Sequence, residues 1–452
     1  MQWSLPSCLG VMSEKLIPDE PLEEPPVPQR PSSLAAVVTP EMDRLNGSIF
    51  FISYILIYLA APVFYVDVVQ AALCDKLGAN HTVASLPAAA YYLGSIAPIV
   101  LAQFIPYRLE REAVVGIYVV TAALMGAVCV ALILPLSNTI KTLAVVSQGL
   151  VLGVTNGLAQ VYCYACLGRG CTTKGRARAY KLAFGIGPVA AVLGSLGSQF
   201  VLNHGIHFLA YPYDFAALYF AGTLSAAGVA GLSSRYKLVP VQEEQRPPVF
   251  RYILDSLRSY LRRGPLVWLL IGYLLWYSTL SATPNLGLYT REAMGREPQT
   301  LSGYILALRF GCKSLAGYFL GWMTARWGDR LPVITTTALV GSATLWAWVA
   351  PGYWYLLAFG LMGAGELGGA YFPNYALSFS APGEIARNQS ILMLATPLAS
   401  LSPLLHGALT ERFGFRASFL FGTVTAALGL WLAVRLPAKS AARTAAGEGT
   451  GP

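Results

Sequence analysis

The chain has 452 residues, of which 55% are hydrophobic and 12% charged, with a formal net charge of +9. Soluble domains carry roughly 25% charged residues, so this chain has too little polar surface to coat a soluble fold. Its basic residues fall in short segments between apolar runs, which excludes a nucleic-acid-binding face and leaves lipid as the solvent.

In chain order, residues 1–44 come first. They contain the acidic, Pro-rich stretch DEPLEEPPVPQRP, which cannot bury a core and is expected to be a disordered tail. No apolar run follows a basic start, so it does not read as a signal peptide. Apolar segments of about 20 residues, the length that crosses a bilayer, then predict twelve spans. They lie at 48–70, 83–106, 113–135, 140–166, 179–203, 214–233, 265–288, 301–323, 332–350, 353–378, 386–409 and 417–436. The expected organisation is a six-helix bundle at 45–233, a cytoplasmic linker at 234–263, a second bundle at 264–437 and a short disordered tail at 438–452. Within the linker, FRYILDSLRSYLRRG gathers Phe250, Ile253, Leu254, Leu257 and Leu261 on one helical face and its charges elsewhere, the pattern of an interfacial helix.

Lys and Arg crowd the loops on the side of the termini. Examples are Arg108 and Arg111, the run from Arg169 to Lys181, the run from Arg235 to Arg263, and Arg326 with Arg330. The opposite loops hold Lys76, Lys141, Arg291, Arg296, Arg412 and Arg416. The positive-inside rule then places both termini in the cytoplasm.

The two halves repeat one another. ISYILIY at 52–58 returns as IGYLLWY at 271–277, and TAALMG at 121–126 as TTALVG at 336–341. GLVLGVTNGLAQVYCYA from 149 aligns with GLMGAGELGGAYFPNYA from 360, Arg178 and Pro188 with Arg387 and Pro397, and FAALYFAGTLSAA from 215 with FRASFLFGTVTAA from 415. The matches run in order, the mark of an internal structural repeat.

Two six-helix halves joined by a basic loop resemble the major facilitator superfamily over nearly all of residues 45–437. GWMTARWGDR at 321–330 is similar to that superfamily's short inner-loop motif, with Gly321, Ala325, Arg326, Gly328 and Arg330 at the matching positions. The corresponding first-half loop, AQFIPYRLER at 102–111, keeps only Glu110 and Arg111 and so departs from the pattern. The resemblance implies an all-α membrane protein of twelve transmembrane helices in two pseudo-symmetric bundles. Gly321, Arg326, Gly328 and Arg330 are expected to gate its inner side, with Gly321 allowing close helix approach.

Ionisable residues inside spans carry the functional expectation. Arg309 and Lys313 stand at i and i+4 on span eight and so share a face. Glu366 lies at similar depth on span ten. Together they could bind an anion, relay a proton or both, with Glu366 as the proton-coupling group. Asp67, about 20 residues into span one, is expected near the outer surface as a gating acid. The resemblance places spans one, four, seven and ten around a central cavity. The candidate solute-binding residues are therefore Tyr54, Tyr58, Asn156, Gln160, Tyr164, Tyr273, Trp276, Tyr277, Arg309, Lys313, Asn374 and Tyr375. Lys181 sits near the inner mouth.

Cys163 and Cys166 form a C-x-x-C, but no second pair or nearby His completes a metal site. There is no P-loop, and neither cofactor nor metal is expected. The chain reads as a monomeric secondary transporter in the cell membrane whose partners are the bilayer, a small solute and protons. The extra cation near Glu366 favours an anionic or zwitterionic solute. The competing reading is a non-transporting receptor of the same fold that signals through its acidic tail.

Overall fold

The computed structural model describes residues 38–101, 104–203, 205–240, 254, 257–378 and 385–437. Residues 1–37, the C-terminal tail and part of the expected interfacial helix lie outside them; residues 40–44, expected in the disordered tail, instead begin the first helix. Twelve spans are present among the described residues. Span one comprises Pro40–Leu59, Ala61–Phe64 and Val68–Lys76, and span two His81–Ala84, Leu86–Gly94 and Ala97–Leu101. Spans three to six are single helices at Glu110–Ile133, Asn138–Gly170, Thr173–Leu202 and Tyr213–Ser233. Span seven is Gly264–Leu280 followed by Thr283–Leu288, span eight Ser302–Trp327 and span nine Arg330–Val349. Span ten is Leu357–Gly365 and Gly368–Ser378. Span eleven is built from Ile385–Leu392, Ala395–Leu398 and Ser402–Phe413, and span twelve is Phe415–Arg435.

Among the first six spans, three packs on six, two on four, and one on five and six. Among the last six, nine packs on ten and twelve, eight on ten, and seven on twelve. The two sets meet where five packs on eight, two on eleven, and the last piece of span one on Thr283–Leu288 of span seven. Span one begins and span twelve ends on the same face, here the terminal face; the opposite one is the far face.

Eight helices among the described residues are long and apolar enough to cross a membrane. The four remaining spans are one, two, eight and ten. Each is interrupted or carries charge, and among them they bear the ionic residues of the site below.

The interruption in span one has identifiable causes. Pro62 stands at the start of its second piece, and Tyr65 turns extended. Inside a bilayer the freed backbone groups need protein partners. Gln148 Nε2 of span four donates to the Val63 carbonyl at 2.7 Å and Gln70 Nε2 at 3.2 Å. Tyr219 of span six fixes Gln148 by donating to its Oε1 at 2.7 Å. Asp67 restarts the helix: its carboxylate accepts from Val68 N, and its own N–H donates to the Gln70 side chain at 3.1 Å. This is a capping box in the middle of a span.

The hydrogen bonds and ion pairs that join the two halves gather on the far side. Arg291 clasps Asp75 at 2.7 Å and Glu297 at 2.6 Å. Glu411 accepts from Asn80 at 3.1 Å and Thr82 at 2.6 Å, and Gln199 accepts from Gly303 N at 2.6 Å. On the terminal face several bonds run within a half. Arg169 pairs with Glu110 at 2.7 Å and donates to the Val239 carbonyl at 2.7 Å, while Asn46 donates to the carbonyls of Gly170 and Lys237.

The Arg291 clasp is open to a direct test. Arg291 is half exposed, so its contribution is small. Arg291→Ala is expected to speed maleimide labelling of a cysteine at position 68, beneath the clasp, by about two- to fivefold; unchanged labelling would show that the clasp does not hold the halves together.

Candidate functional site

Four ionic side chains meet where the two halves face each other. Arg309, 2% exposed, donates from Nη2 to Glu366 Oε1 at 2.7 Å, from Nε to Glu366 Oε2 at 3.3 Å, and from Nη1 to Asp67 Oδ2. Lys313 Nζ lies 3.3 Å from Glu366 Oε2. Asp67 belongs to the first half and the other three to the second, so the Arg309–Asp67 pair joins the halves at depth. At 1.5 Å per residue, the three helix pieces place Asp67, Arg309 and Glu366 about 10–14 Å below their far ends.

Local sequence builds this meeting point. Span ten breaks at Glu366, between helices ending at Gly365 and starting at Gly368. Its glycines admit three neighbours. A Cβ on Gly363 would stand 2.1 Å from the Arg309 carbonyl, one on Gly365 2.8 Å from Val340 N, and one on Gly368 2.6 Å from the Trp276 ring. Trp276 Nε1 donates to the Gly365 carbonyl at 3.1 Å, satisfying one group freed by the break. Span eight therefore lies close enough for Arg309 to reach Glu366 directly.

Tyrosines ring the cluster. Tyr58 stacks on Tyr65, and both meet Phe310 edge-on, with centroids 6.3 and 4.9 Å away. Tyr92 of span two meets Tyr277 of span seven at 5.6 Å. Asn156 lies beside Tyr91 and Thr396 beside Tyr277. Lys313 lies over the Tyr65 and Phe310 rings at 5.7 and 5.9 Å, a cation–π arrangement.

The expected site residues divide. Arg309, Lys313, Glu366, Tyr58, Asn156 and Tyr277 come together. Tyr54 and Tyr164, whose hydroxyls are 3.4 Å apart, lie further toward the terminal face with Phe184 and Tyr180; Gln160 is exposed. Tyr273 and Trp276 are buried in packing against Phe372, and Tyr273 OH stands 3.3 Å from Tyr277 OH.

Three expectations need correction. Asp67 does not lie near the outer surface. Span one continues through VVQAALCDK to Lys76 beyond the break, which leaves Asp67 deep and bonded to Arg309. Asn374 and Tyr375 do not join the cluster. They lie two turns nearer the terminal face, where Asn374 donates to Asp329 at 2.7 Å and Tyr375 to the Pro437 carbonyl at 2.8 Å. Gly321 does not mediate close approach, since a Cβ there would meet nothing within 4 Å.

In that same loop, Gly328 takes φ +81°, a left-handed conformation that favours glycine at a helix end. Arg330 donates to the Val434 carbonyl, tying span nine to span twelve, and Arg326 is exposed. The side chains of Lys181 and Ala325 fall outside the description. Sequence reasoning missed Tyr65, Tyr91 and Tyr92. The first is two residues before Asp67; the other two are a tandem aromatic pair inside span two. It also missed the Glu110–Arg169 pair, which does on the first half's terminal face what Asp329 and Arg330 do on the second's.

The fold and this site define an integral membrane protein of two helical bundles closed around a buried ionic cluster. Residues 293–451 match the sequence model of the Major Facilitator Superfamily. By that match the second half of the chain is similar to this superfamily in sequence. Among solved structures it is similar to the nucleoside transporter NupG (TM-score 0.61, 11% identity, 87% of this chain and 98% of that one). It is also similar to a single-residue variant of FucP, the E. coli fucose:proton symporter (TM-score 0.54, 15% identity, 87% and 98%). A third is the human organic anion transporter MFSD10 (TM-score 0.57, 14% identity, 86% and 99%). At such identities the likeness is one of fold. No curated protein matches the chain in sequence.

Proposed function

We propose that this protein is a secondary transporter that carries a small solute by alternating access, with Glu366 as its proton-coupling group. The observation that carries the reading is the Asp67–Arg309–Glu366–Lys313 cluster. Buried charge of this kind is costly in a membrane and marks ion and substrate paths. Here it bridges the two halves on a fold shared with several solved transporters. The inter-half bonds lie between the cluster and the far face, as expected of a carrier closed on that side and accessible from the terminal side. With both termini in the cytoplasm of a cell-membrane protein, this is an inward-facing arrangement. A rocking motion would part Asp67 from Arg309 and change the surroundings of Glu366, which is how one carboxyl can link proton movement to a solute. The second cation, Lys313, favours an anionic or zwitterionic solute.

Glu366→Gln tests this directly in proteoliposomes, using a solute found by a thermal-shift screen. The variant keeps shape and hydrogen bonding but cannot release a proton. It is expected to lose pH-gradient-driven accumulation, by tenfold or more, while retaining solute exchange. Full pH-driven accumulation in a stable Glu366→Gln protein would sink the coupling role.

A further inference from the structure

The four charges of the cluster are unequally held. Arg309 is 3% exposed at its side chain and addresses both acids, whereas Lys313 is 17% exposed. Lys313 touches Glu366 Oε2 at 3.3 Å, an oxygen that Arg309 Nε already addresses at the same distance. An ammonium has three donors, and this one lies against the Tyr65 and Phe310 rings, where a bound ligand would also lie. Of the two acids, Asp67 is committed as the cap of Val68–Lys76 as well as to Arg309. The Glu366 carboxylate has no capping duty: Arg309 would keep Asp67 if Glu366 became neutral.

The charge count then constrains the ligand. Two acids and two bases make the site neutral, and an anion entering alone would leave an uncompensated buried charge. A proton on Glu366 makes the site +1 and frees Lys313, and one carboxylate restores neutrality. A cation would have to displace Arg309 or Lys313 from an acid while standing beside both. The groups facing Glu366 support only this balance. They are Arg309 and Lys313 from span eight, Asp67, Tyr58 and Tyr65 from span one, Tyr91 and Tyr92 from span two, and Tyr277 from span seven. Span nine presents the Thr336 backbone and Val340 at Gly365. The phenols offer flat apolar faces with hydroxyls at the rim, which fit an apolar or aromatic body carrying one acid group.

We propose that the ligand of this site is a small monocarboxylate with an apolar or aromatic body, received by Lys313 and bound together with one proton. This rests on the transporter reading for the site's role and adds the ligand's chemistry and the stoichiometry. The proton comes from solvent and goes to Glu366; no covalent bond changes.

The test uses the purified full-length protein with benzoate, 4-hydroxyphenylacetate and butyrate, each paired with its primary amide. Binding is read by calorimetry in two buffers of different ionisation enthalpy. At least one acid should bind tenfold or more tighter than its amide and take up close to one proton. Lys313→Gln should abolish that preference and Lys313→Arg should restore part of it. Glu366→Gln should bind the acid without proton uptake. Should Lys313→Gln fold poorly, the Lys313→Gln, Glu366→Gln double variant strands no acid and should equally lack the preference. Equal binding of acid and amide, no binding of any probe, binding without proton uptake, or preference retained without Lys313 would each overturn the proposal. Uptake of the bound acid into proteoliposomes should follow the pH gradient and ignore an imposed membrane potential; potential-driven uptake would also overturn it. Binding that depends on Lys313 without any uptake would instead sink the transporter reading and leave this assignment standing. Uptake of a neutral or cationic solute by a protein that binds none of the acids would do the reverse.

Discussion

Arg309→Met is expected to lower the stability of the protein by about 3–5 kcal/mol, the cost of stranding buried charge when one partner of an ion pair is removed. Methionine roughly keeps the bulk of the side chain but none of its donors. Asp67 and Glu366, both nearly buried, would then share Lys313, which lies within 4 Å of Glu366 only. Neutralising the acids as well, in the triple variant Asp67→Asn, Arg309→Met, Glu366→Gln, should recover part of the loss, because it removes both stranded acids and leaves charged only Lys313, which is partly exposed. Thermal melts of the purified variants measure both effects. A triple variant as unstable as the single one would show that Arg309 matters for its packing against Gly363, and that charge compensation does not hold the site together. The triple variant should in either case be inactive in pH-driven accumulation, which separates the stability of the cluster from its use.

Gly303→Val should act on conformation more than on folding. A Cβ at Gly303 would stand 2.3 Å from the Ser195 carbonyl and 2.9 Å from Gln199 N. Both are backbone atoms of span five, so no rotamer change relieves the clash. Spans five and eight belong to different halves, and this contact is near their far ends, beside the hydrogen bond from Gly303 N to Gln199. The helices can separate there by parting the halves, without disturbing either bundle. A cysteine at position 68 is therefore expected to label more than tenfold faster in Gly303→Val than in the parent, with a melting temperature changed much less than by Arg309→Met. Unchanged labelling with a large loss of stability would mean that the span five–span eight contact is a fixed part of the core. Any gate would then lie elsewhere.

The bundle plan was legible because lipid imposes it. Long apolar runs, Lys and Arg at their terminal-side ends, and the repeat between 52–58 and 271–277 are all linear features. Arg309, Lys313 and Glu366 were legible for the same reason, since charge inside an apolar run stands out. What linear order hides is interruption. Asp67 reads as the end of span one because VDVVQ resembles an apolar run giving way to polar residues. In fact it is the start of a second helix, and only the side chains of Gln148 and Gln70, brought in by folding, make the break tolerable. Asn374 and Tyr375 share a helix with Glu366, but the break turns periodicity on one side into a poor guide to facing on the other. Tyr91 and Tyr92 were hidden because aromatic residues are ordinary in an apolar span. Only the close approach of spans two and four, with a would-be Gly153 Cβ 2.0 Å from the Tyr91 carbonyl, sets the pair beside Tyr277.

The charges of span eight also carry a consequence for biosynthesis. A translocating ribosome delivers span eight to the membrane with Arg309 and Lys313 before Glu366 has been made, 57 residues later in the chain. A cation at the centre of an isolated helix disfavours insertion by about 2.5–3.5 kcal/mol, and span eight brings two. Asp67 is already in place by then, 242 residues upstream. The first half can thus serve as an internal chaperone for the second, offering Asp67 to span eight until span ten arrives.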